Sequence, residues 1–229
     1  MEYVKLGNSD LNVSRICLGC MGFGEAAAGQ HRWTLDEESS NEIIKAALEN
    51  GINFFDTAMS YQGGTSEMFV GRVLRDFARR EDVVLATKFE PRTDEEIAND
   101  VTGQQHVKNC LDASLKRLGM DYVDLYICHM WDYRTPIEEI MEGLNDAVKA
   151  GKVRAIGTSN FLPVRLDDLA AFGGMAPQVN QVETNPLCQQ RAAHDYMAAA
   201  GIQHQAWAPL GAGAAGVLDS PVICGIAER

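Results

Sequence analysis

From residue 15 onward strand-like and helix-like stretches alternate along this chain, and the strands are apolar along most of their length. A strand with apolar side chains on both faces must be buried on both, which a parallel sheet covered by helices provides. After a hairpin, Tyr3–Leu6 and Leu11–Ser14 joined by the turn Gly7-Asn8-Ser9-Asp10, the spacing predicts strands over Arg15–Gly19, Asn53–Thr57, Val83–Lys88, Asp124–His129, Val153–Gly157, Gln178–Val182 and Ile202–Ala208. Between them it predicts helices over Asp36–Asn50, Ser66–Phe77, Gln104–Leu118, Pro136–Ala150, Leu162–Ala171 and Gln189–Ala200. The punctuation agrees: Ile43, Ile44, Ala47 and Leu48 share one helix face, Gly51 and Gly119 follow helix ends, and Pro136 and Gly151 bracket another helix.

At 229 residues and 46% hydrophobic composition, the chain can build one substantial core, and 1–229 is expected to be a single domain. Acidic residues outnumber basic ones by 32 to 20, so the net charge of −12 repels nucleic-acid phosphates and anionic lipid surfaces. No nucleic acid and no membrane is therefore expected as a partner. The histidines at 31, 106, 129, 194 and 204 hold no metal-ligand spacing, and no metal is expected. Cys17-x-x-Cys20 has no second pair or nearby His cluster, so the cysteines read as ordinary reduced core thiols. The opening MEYVKLGNSDL lacks the regions of a secretory signal, and no apolar run nears the roughly 20 residues that span a bilayer. A soluble cytoplasmic protein is expected, as a monomer or weak dimer.

An open dinucleotide-binding sheet carries a glycine fingerprint after its first strand and an acidic ribose ligand at the end of its second. Here Gly19, Gly22 and Gly24 give G-x-x-G-x-G, without an acidic residue in that role. Polar residues sit instead at the C-terminal ends of strand after strand: Asp56, Lys88, His129, Ser159 with Asn160, Gln181 and Trp207. Functional groups gathered from many strand ends belong to a (β/α)8 TIM barrel, an α/β fold, here with an N-terminal β-hairpin. Seven strands do not close such a barrel. The last residues, Ile226-Ala227-Glu228-Arg229, resemble the opening of a seventh helix, so strand eight and its helix are expected to be missing from this sequence.

Asp56 ends an apolar strand, where a carboxylate is costly unless paired. Taken singly, Asp56 can be a cap, Lys88 a surface lysine, His129 a satisfied buried histidine and Tyr61 a packed loop aromatic. Together they come from the ends of strands two, three and four and the loop between, and they can converge. Such a cluster supports proton donation to a developing alkoxide. A tyrosine hydroxyl titrates at about 10, high for an acid or base at neutral pH. A nearby Lys⁺ should lower it, Asp56 would keep that lysine charged, and a neutral His129 could donate a hydrogen bond to a carbonyl oxygen.

In the D-T-A-x-x-Y stretch ending at Tyr61, in Ala86-Thr87-Lys88 and in Asp124-Leu125-Tyr126-Ile127-Cys128-His129, the sequence resembles the aldo-keto reductase family. The resemblance implies catalytic roles for Asp56, Tyr61, Lys88 and His129 in NAD(P)H-dependent reduction of aldehydes or ketones, with Tyr61 as general acid. Gly157-Thr158-Ser159-Asn160-Phe161 resembles the family's G-x-S-N-F element and Gln181-x-Glu183-x-Asn185-Pro186 its Q-x-E-x-x-P element. Ser159, Asn160 and Gln181 would then hold the nicotinamide carboxamide. In Trp207-Ala208-Pro209-Leu210-Gly211, which the resemblance assigns to the cofactor, the aromatic that stacks under the nicotinamide is Trp where many members have Tyr. That Trp is similar to the prokaryotic branch that includes 2,5-diketo-D-gluconate reductases. The small-residue run from Gly211 to Gly216 can bring backbone N–H groups to a pyrophosphate, or be a flexible loop.

NADPH is the cofactor the resemblance implies. NADH stays open, because the family's Lys-Ser/Thr-x-x-x-Arg segment for the adenosine 2′-phosphate has no counterpart here. Phe23, Met59, Met130 and Trp131 suggest an apolar, aromatic-walled pocket for a small-molecule carbonyl substrate. One alternative is a cofactor-binding regulatory subunit resembling the potassium-channel β-subunits, from which the acidic composition and Trp207 point away. Another is aldol or isomerase chemistry through a Schiff base on Lys88, which predicts borohydride trapping and no nicotinamide dependence.

Overall fold

The computed structural model describes residues 1–29, 33–213 and 216–229. β1 (Tyr3–Lys5) and β2 (Asn12–Ser14) pair antiparallel as the expected hairpin. One parallel sheet follows: β3 (Cys17–Gly19), β4 (Phe54–Asp56), β5 (Val84–Phe89), β6 (Val123–Cys128), β7 (Val153–Ser159), β8 (Val179–Glu183) and β9 (Gln203–Trp207). Each strand pairs with the next in the chain, from β3 through to β9. A doubly wound sheet reverses its direction of growth at a switch point, whereas this unbroken order is that of a barrel wall. Among the described residues the wall is an incompletely closed (β/α)8-like barrel, with β3 and β9 at its open edges.

The helices are α1 (Glu37–Glu49), α2 (Thr65–Phe77), α3 (Asp94–Ala98), α4 (Gly103–Leu118), α5 (Ile137–Lys149), α6 (Pro163–Ala171), α7 (Arg191–Ala200) and α8 (Pro221–Ala227). Most boundaries fall within a residue or two of the sequence expectation. Two do not. The short α3 was not foreseen; its signal is a capping box in which Thr93 and Glu96 satisfy each other's backbone N–H groups. The final helix opens at Pro221 and not at Ile226, because proline's fixed φ suits the first turn. No described helix is long and apolar enough to cross a membrane.

Side chains alternate across the strands, and the two faces bury against different partners. Outward residues such as Phe55, Leu85, Tyr126 and Ile156 pack with helix residues including Ile44, Val70, Leu111 and Leu144. Inward residues Phe54, Val84, Ala86, Leu125, Ile127, Ala155 and Val179 form a second cluster with Leu6, Leu11 and Val13 of the hairpin, which plugs the N-terminal end of the barrel. The helix layer is tight: at Gly71 an added Cβ would lie 2.3 Å from the carbonyl oxygen of Leu118, so α2 and α4 approach there backbone to backbone.

A buried carboxylate fastens the same lower end. Asp124, at the start of β6, accepts from Arg154 at 2.8 Å, from Arg80 at 2.6 Å and from the Leu85 backbone N–H at 2.9 Å. Both of its oxygens are used. Three segments are thereby tied together.

Candidate active site

Toward the C-terminal end of the barrel the same inward faces change from apolar to polar in a two-residue step. Phe54 gives way to Asp56, Ala86 to Lys88, Ile127 to His129, Gly157 to Ser159 and Val179 to Gln181. Above them opens a cleft of about 1190 Å³, lined by Asp56, Tyr61, His129, Ser159, Asn160, Gln181, Trp207 and Pro209 among others. The four residues expected to converge do so. Lys88 is fully buried, and its Nζ donates to Asp56 Oδ2 at 2.7 Å, to the Thr57 carbonyl at 2.9 Å and to Tyr61 Oη at 3.0 Å. An ammonium has three protons, and all three are engaged. Burial works against that charge, but Asp56 and Tyr61 outweigh it and raise the lysine's pKa. A lysine held charged in this way has no lone pair for a Schiff base.

Tyr61 departs from expectation in its titration. Burial pushes the phenol up, and the pull of Lys88 in the other direction does not overcome it. Tyr61 therefore keeps its proton at neutral pH. Its oxygen already accepts from Lys88, which leaves that proton free to be donated. His129 meets the Tyr61 ring edge-on, with centroids 5.9 Å apart. Its Nδ1 lies 2.6 Å from Glu90 Oε1, which also accepts from Ser60 Oγ at 2.6 Å. Asp56 Oδ2 takes a second, longer bond from Gln181 Nε2 at 3.3 Å, and Asp56 Oδ1 is buried with no hydrogen-bond partner among the described residues.

On the opposite wall, the register sets Ser159 beside Gln181 and Gln181 beside Gln205. Gln205 Oε1 is buried with no partner among the described residues. Two residues on, Trp207 lines the cleft and donates its indole N–H to Asn160 Oδ1 at 3.0 Å. Asn160, held in the left-handed region at φ 62°, also donates through Nδ2 to the His129 carbonyl at 3.3 Å and to Ser159 Oγ at 3.1 Å. It thus ties the aromatic wall to the end of β6. A row of amide and hydroxyl groups beside a flat indole, with one buried acceptor unpaired, fits a planar ring carrying a carboxamide.

The remaining expected residues divide. Of the pocket residues, Met130 lines the cleft. Phe23 lies in the core, 4% exposed, and Met59 packs against that core. Trp131 turns aside to stack on Phe161 and to donate its indole N–H to the Thr135 carbonyl at 2.8 Å. These three lie outside the lining of the cleft, which includes Cys17, Cys20, Met21 and Trp33. All six cysteines are free, and burial pushes the Cys17 and Cys20 thiols up, so both stay protonated. Pro209 lines the cleft; Leu210 is exposed and Gly211 is buried, both outside its lining. Of the small-residue run that follows, Ala214 and Ala215 lie outside the described residues, as does His31. Among the described residues no group of three or more His, Cys, Asp or Glu is placed to hold a metal ion. Sequence reasoning missed Ser60, Glu90 and Gln205. The signal for the last two was alternation, Glu90 lying two residues after Lys88 and Gln205 two before Trp207.

The model of the aldo/keto reductase family matches residues 15–217. The chain belongs to the aldo/keto reductase family. Such members are NAD(P)H-dependent oxidoreductases, and this member is an enzyme of that kind. It is 38% identical to the uncharacterized oxidoreductase YrpG of Bacillus subtilis over 94% of this chain and 68% of that protein. It is 34% identical to versiconal hemiacetal acetate reductase of Aspergillus parasiticus over 93% of this chain and 68% of that protein. Among solved structures, a thermostable aldo-keto reductase in complex with the inhibitor epalrestat superposes with a TM-score of 0.81 at 28% identity, covering 93% of this chain and 74% of the other.

Proposed function

We propose that this family member reduces aldehydes or ketones to alcohols, with Tyr61 donating the proton to the carbonyl oxygen and NADPH as the preferred cofactor. The observation that carries the reading is the Lys88 ammonium fixed between Asp56 and Tyr61, under a phenol that keeps its proton at neutral pH. A nicotinamide bound at the cleft would supply the hydride. Ser159, Gln181 and Gln205 would hold its carboxamide and Trp207 would set which ring face meets the substrate, with Asn160 accepting from the Trp207 indole. As oxygen takes up charge, Tyr61 transfers its proton, and Lys88 stabilises the phenolate left behind. Asp56 holds Lys88 in place and charged. The carbonyl is polarised by donors already aimed, so alignment and electrostatics supply most of the acceleration. Trp207 supports kinship with the prokaryotic branch that includes 2,5-diketo-D-gluconate reductases.

Steady-state loss of NADPH or NADH absorbance with 4-nitrobenzaldehyde tests this. Tyr61→Phe should lower kcat by about 10³-fold, within the range for removing a general acid, while NADPH affinity is unchanged. Turnover that survives the substitution, or NADPH binding without turnover in the wild type, would overturn the proposal.

A further inference from the structure

Glu90 belongs to no part of the reaction described above, yet it sits on the cleft wall against one of its residues. The β5 strand ends at Phe89, and alternation returns Glu90 to the inward face that carries Lys88. Its Oε1 is 2.6 Å from His129 Nδ1 and 2.6 Å from Ser60 Oγ. Its backbone carbonyl is 2.8 Å from His106 Nε2, so the residue is anchored behind as well as in front. Both side chains of the pair are mostly buried, at 18% and 28% exposure. A carboxylate only accepts, so the nitrogen facing it must carry the proton. Burial would favour the neutral acid, but the bonds from His129 and Ser60 and the nearby Lys88 charge hold Glu90 below the usual carboxylate range.

We propose that Glu90 is a positioning residue for the reduction: it fixes His129 with its proton on Nδ1, so that Nε2 is a bare acceptor in the neutral ring and a donor to the substrate oxygen only in the imidazolium. This differs from a neutral His129 donor, and it rests on the carbonyl-reductase reading. The groups that face the ring are Glu90 and Ser60 on one side and Tyr61 on the other, with Lys88 and Asp56 behind Tyr61. From its own loop, Asp132 is occupied by Arg134 and by the Thr135 backbone N–H. The consequence is a pH dependence. With Nε2 bare in the neutral ring, only the protonated ring adds a second donor beside Tyr61, so kcat/KM should fall toward alkaline pH.

Long-range proton–nitrogen NMR of the full chain, with His129 assigned by its substitution, reads the tautomer without any turnover. Wild type should show Nδ1 as the protonated nitrogen of the neutral ring, and Nε2–H there would overturn the proposal. The pH profile of kcat/KM with NADPH and 4-nitrobenzaldehyde gives the second readout. In Glu90→Ala the freed ring can take the Nε2–H form, so the alkaline fall should flatten while activity at low pH drops about tenfold. Glu90→Gln, whose amide oxygen still accepts from Nδ1, should keep the steep limb. A uniform loss at every pH in Glu90→Ala would mean a merely structural role. If the wild type does not turn over aldehyde, the reductase reading fails, and the NMR spectrum still decides the Glu90–His129 arrangement.

Discussion

Asp124 and Asp56 are both buried carboxylates on strands of one barrel, each bound to a buried or half-buried cation, and they differ in how completely they are satisfied. Asp124, at the lower end, uses both oxygens on two guanidinium groups and a backbone N–H. Asp56, at the rim, receives Lys88 and Gln181 on one oxygen and leaves the other without a partner among the described residues. The Asp124 cluster ends on structure: Arg80 also reaches two backbone carbonyls and lies over the Tyr122 ring. The Asp56 cluster ends on a phenol that opens to the cleft. A closed ion cluster holds strands together, whereas an open one keeps a charge available for a reaction.

Substitutions can break this contrast. Asp124→Ala strands two arginines near a buried face and should cost about 3–5 kcal/mol of stability, read by denaturant unfolding, while kcat per folded molecule is kept. Replacing the rim pair together, Asp56→Asn with Lys88→Met, should do the reverse: kcat/KM falls about 10³-fold, roughly 4 kcal/mol of transition-state stabilisation, while stability is unchanged or higher. A large stability loss in that double variant would make the rim cluster structural as well.

Gly71→Ala tests the helix layer alone. The new methyl meets the Leu118 carbonyl in a backbone contact that cannot rotate away, and about 1–3 kcal/mol of stability should be lost with no change in KM. The smallest effect concerns acid. Glu90 has a depressed folded pKa, so its stabilisation is present above the ordinary carboxylate range and is lost as pH falls through that lower value. Thermal midpoints measured downward from pH 6 should therefore fall more steeply for wild type than for Glu90→Gln.

The barrel was legible because continuously apolar strands admit few other architectures, and much of the candidate site because a polar residue closing an apolar strand stands out. Asp56, Lys88 and His129 are such residues. Glu90 was not legible, since it lies just past its strand in a run of polar residues where only alternation marks it as inward. Phe23, an aromatic in a glycine-rich loop after the first strand, reads as cleft wall, and only tertiary packing shows its contacts with the core. The direction of the Tyr61 shift was hidden for a related reason. The charge of Lys88 can be read from residue types, but the depth of burial that outweighs it cannot.

The most direct test of the division between rim and base is the single-turnover rate of NADPH oxidation by an aldehyde, measured per folded molecule in Tyr61→Phe and in Asp124→Asn. The structure predicts about a 10³-fold fall in the first and a rate within a factor of about two of wild type in the second. Equal losses in both, or a retained rate in Tyr61→Phe, would contradict it.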